Sequence, residues 1–258
     1  MSHIRAAFFD ADGTLISFNT HEVPASALRA LAELRAAGVK CFLCTGRGPY
    51  MLSDVPLDVF DACVTFSGQY CFEGDDVFYT CPLDRDDIRV VVEQVQAGLY
   101  ECYFMEGADS YVSGHDELVR GAESDAKLSM PEGDITRALD HDILQLNVFT
   151  RPGGEQMIDD ATRHLKFARW SPNFADVMPD NGGKAIAVGR VLERFGIAPE
   201  EAVVFGDGGN DVEMFDVVGT SVAMGNASPE VQAAATHVTD SVDDDGIWNA
   251  CVRLGLIG

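Results

Sequence analysis

The 258-residue sequence predicts an α/β fold, a parallel sheet flanked by helices, with a second α/β region inserted into it. Short apolar runs at residues 4–9, 39–44 and 202–205 each lead into a polar or glycine-containing turn, as buried parallel strands do. Helical periodicity separates such runs at both ends of the chain, which is the rhythm of βαβ units with right-handed crossovers. From about residue 83 to 178 the rhythm gives way to mixed helix and strand signals. The core is therefore expected in two parts, 1–82 and 179–258, around an inserted domain at 83–178.

Taken in order, residues 4–9 make the first strand, ended by Asp10. Pro24 opens a helix marked by Leu28, Leu31 and Leu34, and Gly38 closes it. Residues 39–44 and 62–66 are the next strands, and 70–72 with 77–80 form a hairpin around Glu73-Gly74-Asp75-Asp76. Inside the insertion, helices are expected at 86–95 and 155–166, and strands at 101–105, 111–113, 143–150 and 175–178. The last third resumes with a helix at 184–195, apolar along Ile186, Val188, Val191, Leu192 and Phe195, and ended by Gly196. A strand at 202–205, a helix at 211–215, a strand at 221–223 and a helix at 229–235 follow.

Hydrophobic residues make up 47% of the chain and charged residues 23%, a composition that supports a packed core and excludes wholesale disorder. No apolar run approaches twenty residues, so no membrane span is expected. The opening Met1-Ser2-His3-Ile4-Arg5 leads into an apolar stretch too short for a secretory signal, which makes the cytoplasm the expected compartment. Acidic residues number 42 against 18 basic ones, a formal charge of −24. Such a surface repels phosphate backbones and argues against nucleic acid or anionic membranes as partners. An anionic substrate would need a local cation. The seven cysteines are odd in number and scattered, unlike a secreted disulfide framework. Cys41 and Cys44 have a metal-pair spacing, but they lie inside an apolar strand with no second pair, so they read as small buried hydrophobes.

Four clusters carry chemistry. Asp10-Ala11-Asp12-Gly13-Thr14 follows a buried strand, which sets two carboxylates at the carboxyl edge of a parallel sheet, where ligands bind in open α/β folds. One carboxylate suits nucleophilic attack on phosphorus, the other proton transfer, and their mutual repulsion calls for a hard cation such as Mg²⁺. An acidic turn after a strand reads the same way by itself. Thr45-Gly46-Arg47 also follows a strand, and its hydroxyl and successive N–H groups suit phosphate oxygens, or an ordinary turn. Lys184 opens a helix after Asn181-Gly182-Gly183, where an ammonium and a helix N-terminus converge. Gly206-Asp207-Gly208-Gly209-Asn210-Asp211 follows the strand at 202–205. Its spacing is not that of a dinucleotide loop, and its acids suit a metal better than a bare pyrophosphate, with Asp207 as direct ligand and Asn210 as donor to phosphate oxygens.

The four clusters in this order resemble the motifs of the haloacid dehalogenase superfamily of phosphohydrolases, and the resemblance covers the whole chain. The large insertion, with Ser171-Pro172 and Val177-Met178-Pro179 near its end, is similar to the C2B cap of the Cof-type subfamily. The resemblance implies a Rossmann-like three-layer core with a cap that closes over substrate. It implies Asp10 as nucleophile, forming an aspartyl-phosphate, and Asp12 as general acid/base. Mg²⁺ would be held by the Asp10 carboxylate, the Asp12 backbone carbonyl and Asp207, with Asp211 in support through water. Thr45, the Gly46 backbone, Lys184 and Asn210 would hold the phosphoryl group, where most of the catalysis of phosphoryl transfer arises. Arg47 is a further candidate for contact with an anionic substrate. Ala11 stands where Leu is commoner, Ser67-Gly68 where many relatives have Asn-Gly, and Gly183 and Ala185 flank Lys184 where relatives often have a polar residue and Gly. None of these departures removes a catalytic atom.

The implied activity is a Mg²⁺-dependent phosphatase, a phosphoric monoester hydrolase, acting on a small phosphorylated metabolite. Sugar phosphates come first, then pyridoxal phosphate, FMN or a nucleotide, with the protein a monomer or weak homodimer. Tyr111, His115, Asp116, Arg120 and Asn147 are polar candidates for specificity in the insertion, each equally an ordinary surface or packing residue. Three alternatives share the motifs: a phosphomutase that returns the phosphoryl group to substrate, a phospho-signalling receiver, and an idle binding protein on the same fold. A receiver carries its phosphorylated Asp in mid-chain and has no large insertion. Asp12 beside Asp10 favours hydrolysis over a lasting signal.

Overall fold

The computed structural model describes residues 4–126 and 128–258; Met1, Ser2 and His3, which open the stretch too short for a secretory signal, lie outside the described residues. The chain begins with β1 (Ala6–Phe9), α1 (Ala25–Ala36), β2 (Lys40–Cys44), β3 (Ala62–Thr65), β4 (Tyr70–Glu73) and β5 (Asp76–Thr80). It continues through α2 (Arg85–Gln96), β6 (Glu101–Met105), β7 (Ser110–Val112), α3 (Glu117–Ala126), β8 (Gln145–Phe149), α4 (Gln156–Asp159), β9 (Leu165–Ala168) and β10 (Ala175–Pro179). It ends with α5 (Lys184–Phe195), β11 (Ala202–Gly206), α6 (Val212–Phe215), β12 (Thr220–Ala223), α7 (Pro229–Ala234), β13 (His237–Val238) and α8 (Gly246–Arg253). Two compact units result, one of residues 4–47, 51–79 and 183–258, the other of residues 48–50 and 80–182.

The first unit is an eight-stranded sheet in the order β13-β12-β11-β1-β2-β3-β4-β5, parallel from β13 through β3 and antiparallel at β3–β4. Both faces of β1 are buried, which is why the strand is apolar throughout. Ala7 and Phe9 face a layer that includes Leu31 and Leu34 of α1 and Ile247 and Cys251 of α8. Ala6 and Phe8 face Val188, Val191 and Leu192 of α5. Phe9 stacks on Phe205 at 4.9 Å between ring centres and Phe8 packs on Phe42 at 4.8 Å, so the sheet is pinned from both sides. This is the expected three-layer α/β core. All seven cysteines are free and buried, and burial pushes the Cys41 thiol up to about 12, so they serve as packing residues.

The second unit is an antiparallel sheet, β7-β6-β8-β10-β9. One face buries Cys102, Phe104, Leu146, Val148, Ala175 and Val177 against Ile88, Val91, Val92 and Val95 of α2. The strand β10 pairs through Pro179, opposite Leu165, so this sheet extends past the expected end at 178 and the chain leaves the unit at Gly182. One expected element differs. The helix at 155–166 is a single turn, α4, followed by the strand β9. The buried carboxylate of Asp87 accepts the N–H groups of Arg163 (3.0 Å) and His164 (2.8 Å), which a continuing helix would have used internally. The periodicity also missed α3, whose Val119 and Ala122 are buried and whose first turn is capped by Asp116, accepting from the Val119 N–H at 2.8 Å.

Asp87→Ala would leave two partly buried N–H groups without an acceptor. It should lower unfolding stability by about 2 kcal/mol or more, from roughly 1–3 kcal/mol per stranded group, measured by urea unfolding. An unchanged midpoint would show that the turn at 160–164 does not rest on this carboxylate.

Candidate active site

The parallel strands β1, β2, β11 and β12 all point one way, so the residues after them gather at one sheet edge. Asp10 leaves β1 there, Thr45 leaves β2 and Asp207 leaves β11, while Lys184 begins α5. The turn after β1 is closed by hydrogen bonds from Gly13 N–H to Ile16 (2.8 Å) and from Leu15 and Ile16 to Ala11. Gly13 has φ +83°, and a Cβ there would collide with the Asp207 carboxylate, so this close approach requires glycine.

Lys184 is completely buried and its ammonium donates to Asp10 Oδ1 and to Asp211 Oδ1, each at 2.6 Å. The other Asp211 oxygen accepts from the N–H groups of Asp207 (3.0 Å) and Gly208 (2.9 Å), folding the glycine-rich loop around it. Thr14 Oγ1 donates to Asp207 Oδ1 at 2.8 Å. Asp10, Asp207 and Asp211 each present a carboxylate oxygen within 4.8 Å of the others. Three converging carboxylates, two of them sharing one ammonium, carry surplus negative charge. Burial, reinforced by the charge of Asp211, pushes the Asp10 carboxyl up to about 8. Burial likewise pushes Asp207 up to about 6 against the hydrogen bond from Thr14. Burial alone would lower the Lys184 pKa, but Asp10 and Asp211 outweigh it and raise it well above its ordinary value. The donor set is all oxygen and over-charged, which fits a hard divalent cation.

The structure therefore gathers Asp10, Lys184, Asp207 and Asp211 into one cluster. Asp211 has both oxygens engaged by protein donors, the arrangement of a supporting residue. Thr45 is buried, its Oγ1 accepting from the Arg47 N–H at 3.1 Å, and Gly46 lies on the same turn. Asn210 is exposed on the turn before α6. The Asp12 side chain stands apart from the cluster, bound by Arg47 Nε at 2.8 Å and Nη2 at 2.5 Å. Phe66 and Ser67 both have positive φ (51° and 53°) and bond back to this turn, Phe66 N–H to Arg47 and Ser67 N–H to Thr45. Ser67 thus holds a left-handed conformation that Asn would adopt with less strain. A Cβ on Gly68 (φ +106°) would collide with the Gly183 carbonyl just before Lys184.

Two contributors escaped sequence reasoning. Glu213 accepts the Lys184 backbone N–H at 2.5 Å, and Asn226 donates to the Gly13 carbonyl at 2.8 Å and to Asp207 Oδ2 at 3.3 Å. Asn226 was findable as a polar residue shortly after the strand at 221–223. Glu213 was not, since an acid in a helical turn is ordinary. Among the candidates in the insertion, Tyr111 lies in the core, His115 bridges Glu123 and Glu132, Asp116 caps α3, Arg120 is exposed and Asn147 bonds Asp176.

A family model described as haloacid dehalogenase-like hydrolase matches residues 7–251. The Bacillus subtilis protein YkrA is 33% identical over 253 residues, 97% of each chain. Among solved structures, the subclass IIB sugar phosphatase BT4131 is similar with a TM-score of 0.88 at 32% identity, covering 98% of this chain and 100% of that one. BT1666 of Bacteroides thetaiotaomicron, from a study of phosphatases of the haloalkanoate superfamily, has a TM-score of 0.91 at 29% identity over 99% and 96% of the two chains.

Asp10 and Asp207 bind protons more tightly folded than unfolded, where such carboxyls titrate near 3.8. Their contribution to stability is therefore full below that value and is lost as pH rises through about 6 and then about 8. Metal-free protein should melt at progressively lower temperature from about pH 5 to about pH 9, and an added divalent cation should raise the midpoint most at the alkaline end. Calorimetry in EDTA across this range checks it, and a flat profile would remove the over-charged cluster as the reason for a cation.

Proposed function

The chain belongs to the haloacid dehalogenase-like hydrolase family and is a phosphatase-type enzyme, and from that premise we propose that it hydrolyses a phosphate monoester of a small metabolite through an aspartyl-phosphate on Asp10. The observation that carries the reading is the buried Lys184 ammonium fixing Asp10 beside Asp207 and Asp211 at the carboxyl edge of the sheet. In the first half-reaction an Asp10 oxygen attacks phosphorus as the bond to the leaving oxygen breaks, and Asp12 gives that oxygen its proton. In the second, Asp12 takes a proton from water as the water oxygen attacks phosphorus, freeing phosphate and restoring the Asp10 carboxylate.

Mg²⁺ is the cation in this reading, held by Asp10, the Asp12 backbone carbonyl and Asp207 with Asp211 behind them, and when bound it supplies charge that offsets the carboxylates and the phosphate. Lys184 holds Asp10 in one orientation and lends positive charge to the equatorial phosphoryl oxygens, which the Thr45 hydroxyl, the Gly46 N–H and the Asn210 amide also bind. The inserted unit acts as the cap that excludes water from the aspartyl-phosphate. Sugar phosphates are the first substrate class, supported by the 32%-identical sugar phosphatase. We take the enzyme to work in the cytoplasm, as a monomer or weak homodimer without nucleic-acid or membrane partners. Its −24 charge argues against nucleic-acid and anionic-membrane partners, and no helix among the described residues is long and apolar enough to cross a membrane.

Phosphate release should be measured over phosphorylated sugars, pyridoxal phosphate, FMN and nucleotides, with Mg²⁺ or EDTA. Release should require Mg²⁺ and fall at least about 10³-fold in Asp10→Asn, which cannot form the acyl phosphate. Transfer of the phosphoryl group between sugar positions without release would instead mark a mutase.

A further inference from the structure

Asp12 sits on the tight turn after β1, yet its side chain is 42% exposed, and among the described residues its carboxylate accepts from Arg47 and not from its own turn. It is held from the turn after β2. Arg47 donates Nε to Asp12 Oδ2 at 2.8 Å and Nη2 to Asp12 Oδ1 at 2.5 Å, a two-pronged contact that fixes the carboxylate plane. The remaining Nη1 donates to Asp54 Oδ1 at 2.8 Å, to Asp54 Oδ2 at 3.0 Å and to the Met51 carbonyl at 3.2 Å. The guanidinium side chain is only 20% exposed between these two acids. An incoming phosphate would have to displace a carboxylate to reach it. That is a poor arrangement for binding substrate and a good one for holding Asp12.

We propose that Arg47 is a positioning residue for Asp12, itself set in place by Asp54 and the Met51 carbonyl, and not a ligand of the phosphoryl group. This rests on the reading of Asp12 as the acid/base. Both Asp12 oxygens sit on the fork, so the carboxyl plane is fixed and the lone pairs that the guanidinium leaves unused keep one direction, along which the proton moves as the bond to phosphorus breaks. A freely rotating, exposed carboxylate would have to find that orientation in each turnover. Lysine cannot reproduce the contact, because a single ammonium has no planar pair of donors to match both oxygens while also serving Asp54.

The test compares kcat/KM for 4-nitrophenyl phosphate and phenyl phosphate. The two are alike in shape, but nitrophenolate leaves without a proton and phenolate benefits from one. Because kcat/KM covers only the steps through departure of the leaving group, the later attack of water does not enter. Arg47→Ala should lower kcat/KM for phenyl phosphate about 10- to 100-fold, a share of what general acid catalysis supplies, and change the nitrophenyl value less than about threefold. Asp54→Asn, which keeps the Asp12 contact and loosens its anchor, should bias the two substrates the same way by a smaller factor. Arg47→Lys should resemble Arg47→Ala. Equal losses on both substrates, above all with raised KM, would make Arg47 a phosphate ligand and overturn the proposal, as would unchanged rates on both. If the wild-type protein hydrolyses neither ester with Mg²⁺ present, the phosphatase reading fails first and takes this proposal with it.

Discussion

The site depends on one buried ammonium. Lys184 has no exposed surface, and an unpaired charge at that depth would be prohibitive, so its two contacts of 2.6 Å to Asp10 and Asp211 are obligatory. The dependence runs both ways, since without the ammonium the carboxylates would repel one another. A buried ion pair of this kind gives little net stability against an apolar replacement. What it fixes is geometry. The helix α5 delivers the lysine, and α5 is held to the sheet by Val188, Val191 and Leu192 packing under β1 and β11. Glu213 holds the backbone N–H at the start of that helix, and the absence of a side chain at Gly68 lets the chain pass Gly183 closely.

A second cation repeats the pattern nearby. Lys184 joins Asp10 to Asp211, and Arg47 joins Asp12 to Asp54. The two acids of the turn after β1 are only two residues apart in sequence, yet each belongs to a different ion-pair network. Asp10 is buried with a point-charge donor, whereas Asp12 is partly exposed with a planar one. Such a split suits two carboxylates with different tasks, because environment and not residue type separates a nucleophile from a proton carrier. Among the described residues the Asp207 carboxylate accepts from neutral donors, Thr14 and Asn226, which places the unbalanced charge beside Asp10.

The parts of this arrangement that were legible in the sequence are those with local signatures. The buried strands announce themselves because both faces are apolar, and the acids, Thr45 and the glycine-rich loop stand directly after them. The break in texture near residue 83 shows the insertion because antiparallel strands and short helices do not share the βαβ rhythm. The unreadable parts are those decided across the fold. Residues 155–166 carry helical periodicity, but Asp87, far away in sequence, takes the N–H groups that the helix needed. Arg47 invites reading as an anion binder until Asp54 and Asp12 are seen to occupy its donors. Glu213 has no sequence signal, because its role exists only through the start of α5.

The acidity of the whole chain and the chemistry of its site also act on different length scales. At physiological ionic strength exposed charges are screened beyond roughly 8 Å, so most of the −24 acts on an approaching anion only weakly. Inside the site screening is poor, and the outcome rests on a few groups. Lys184 is already shared between two carboxylates and Arg47 between two more, so neither presents an uncompensated positive charge to a phosphate. The cluster of Asp10, Asp207 and Asp211 is net negative with Lys184 included and would by itself repel the phosphate of a substrate. On the proposed reading, attraction comes from a divalent cation among those carboxylates together with neutral N–H and O–H donors on the turn after β2. In that reading, affinity for a phosphorylated ligand is thereby tied to occupancy by the cation, with the arginine holding Asp12 and the lysine both holding Asp10 and lending charge to the phosphoryl oxygens.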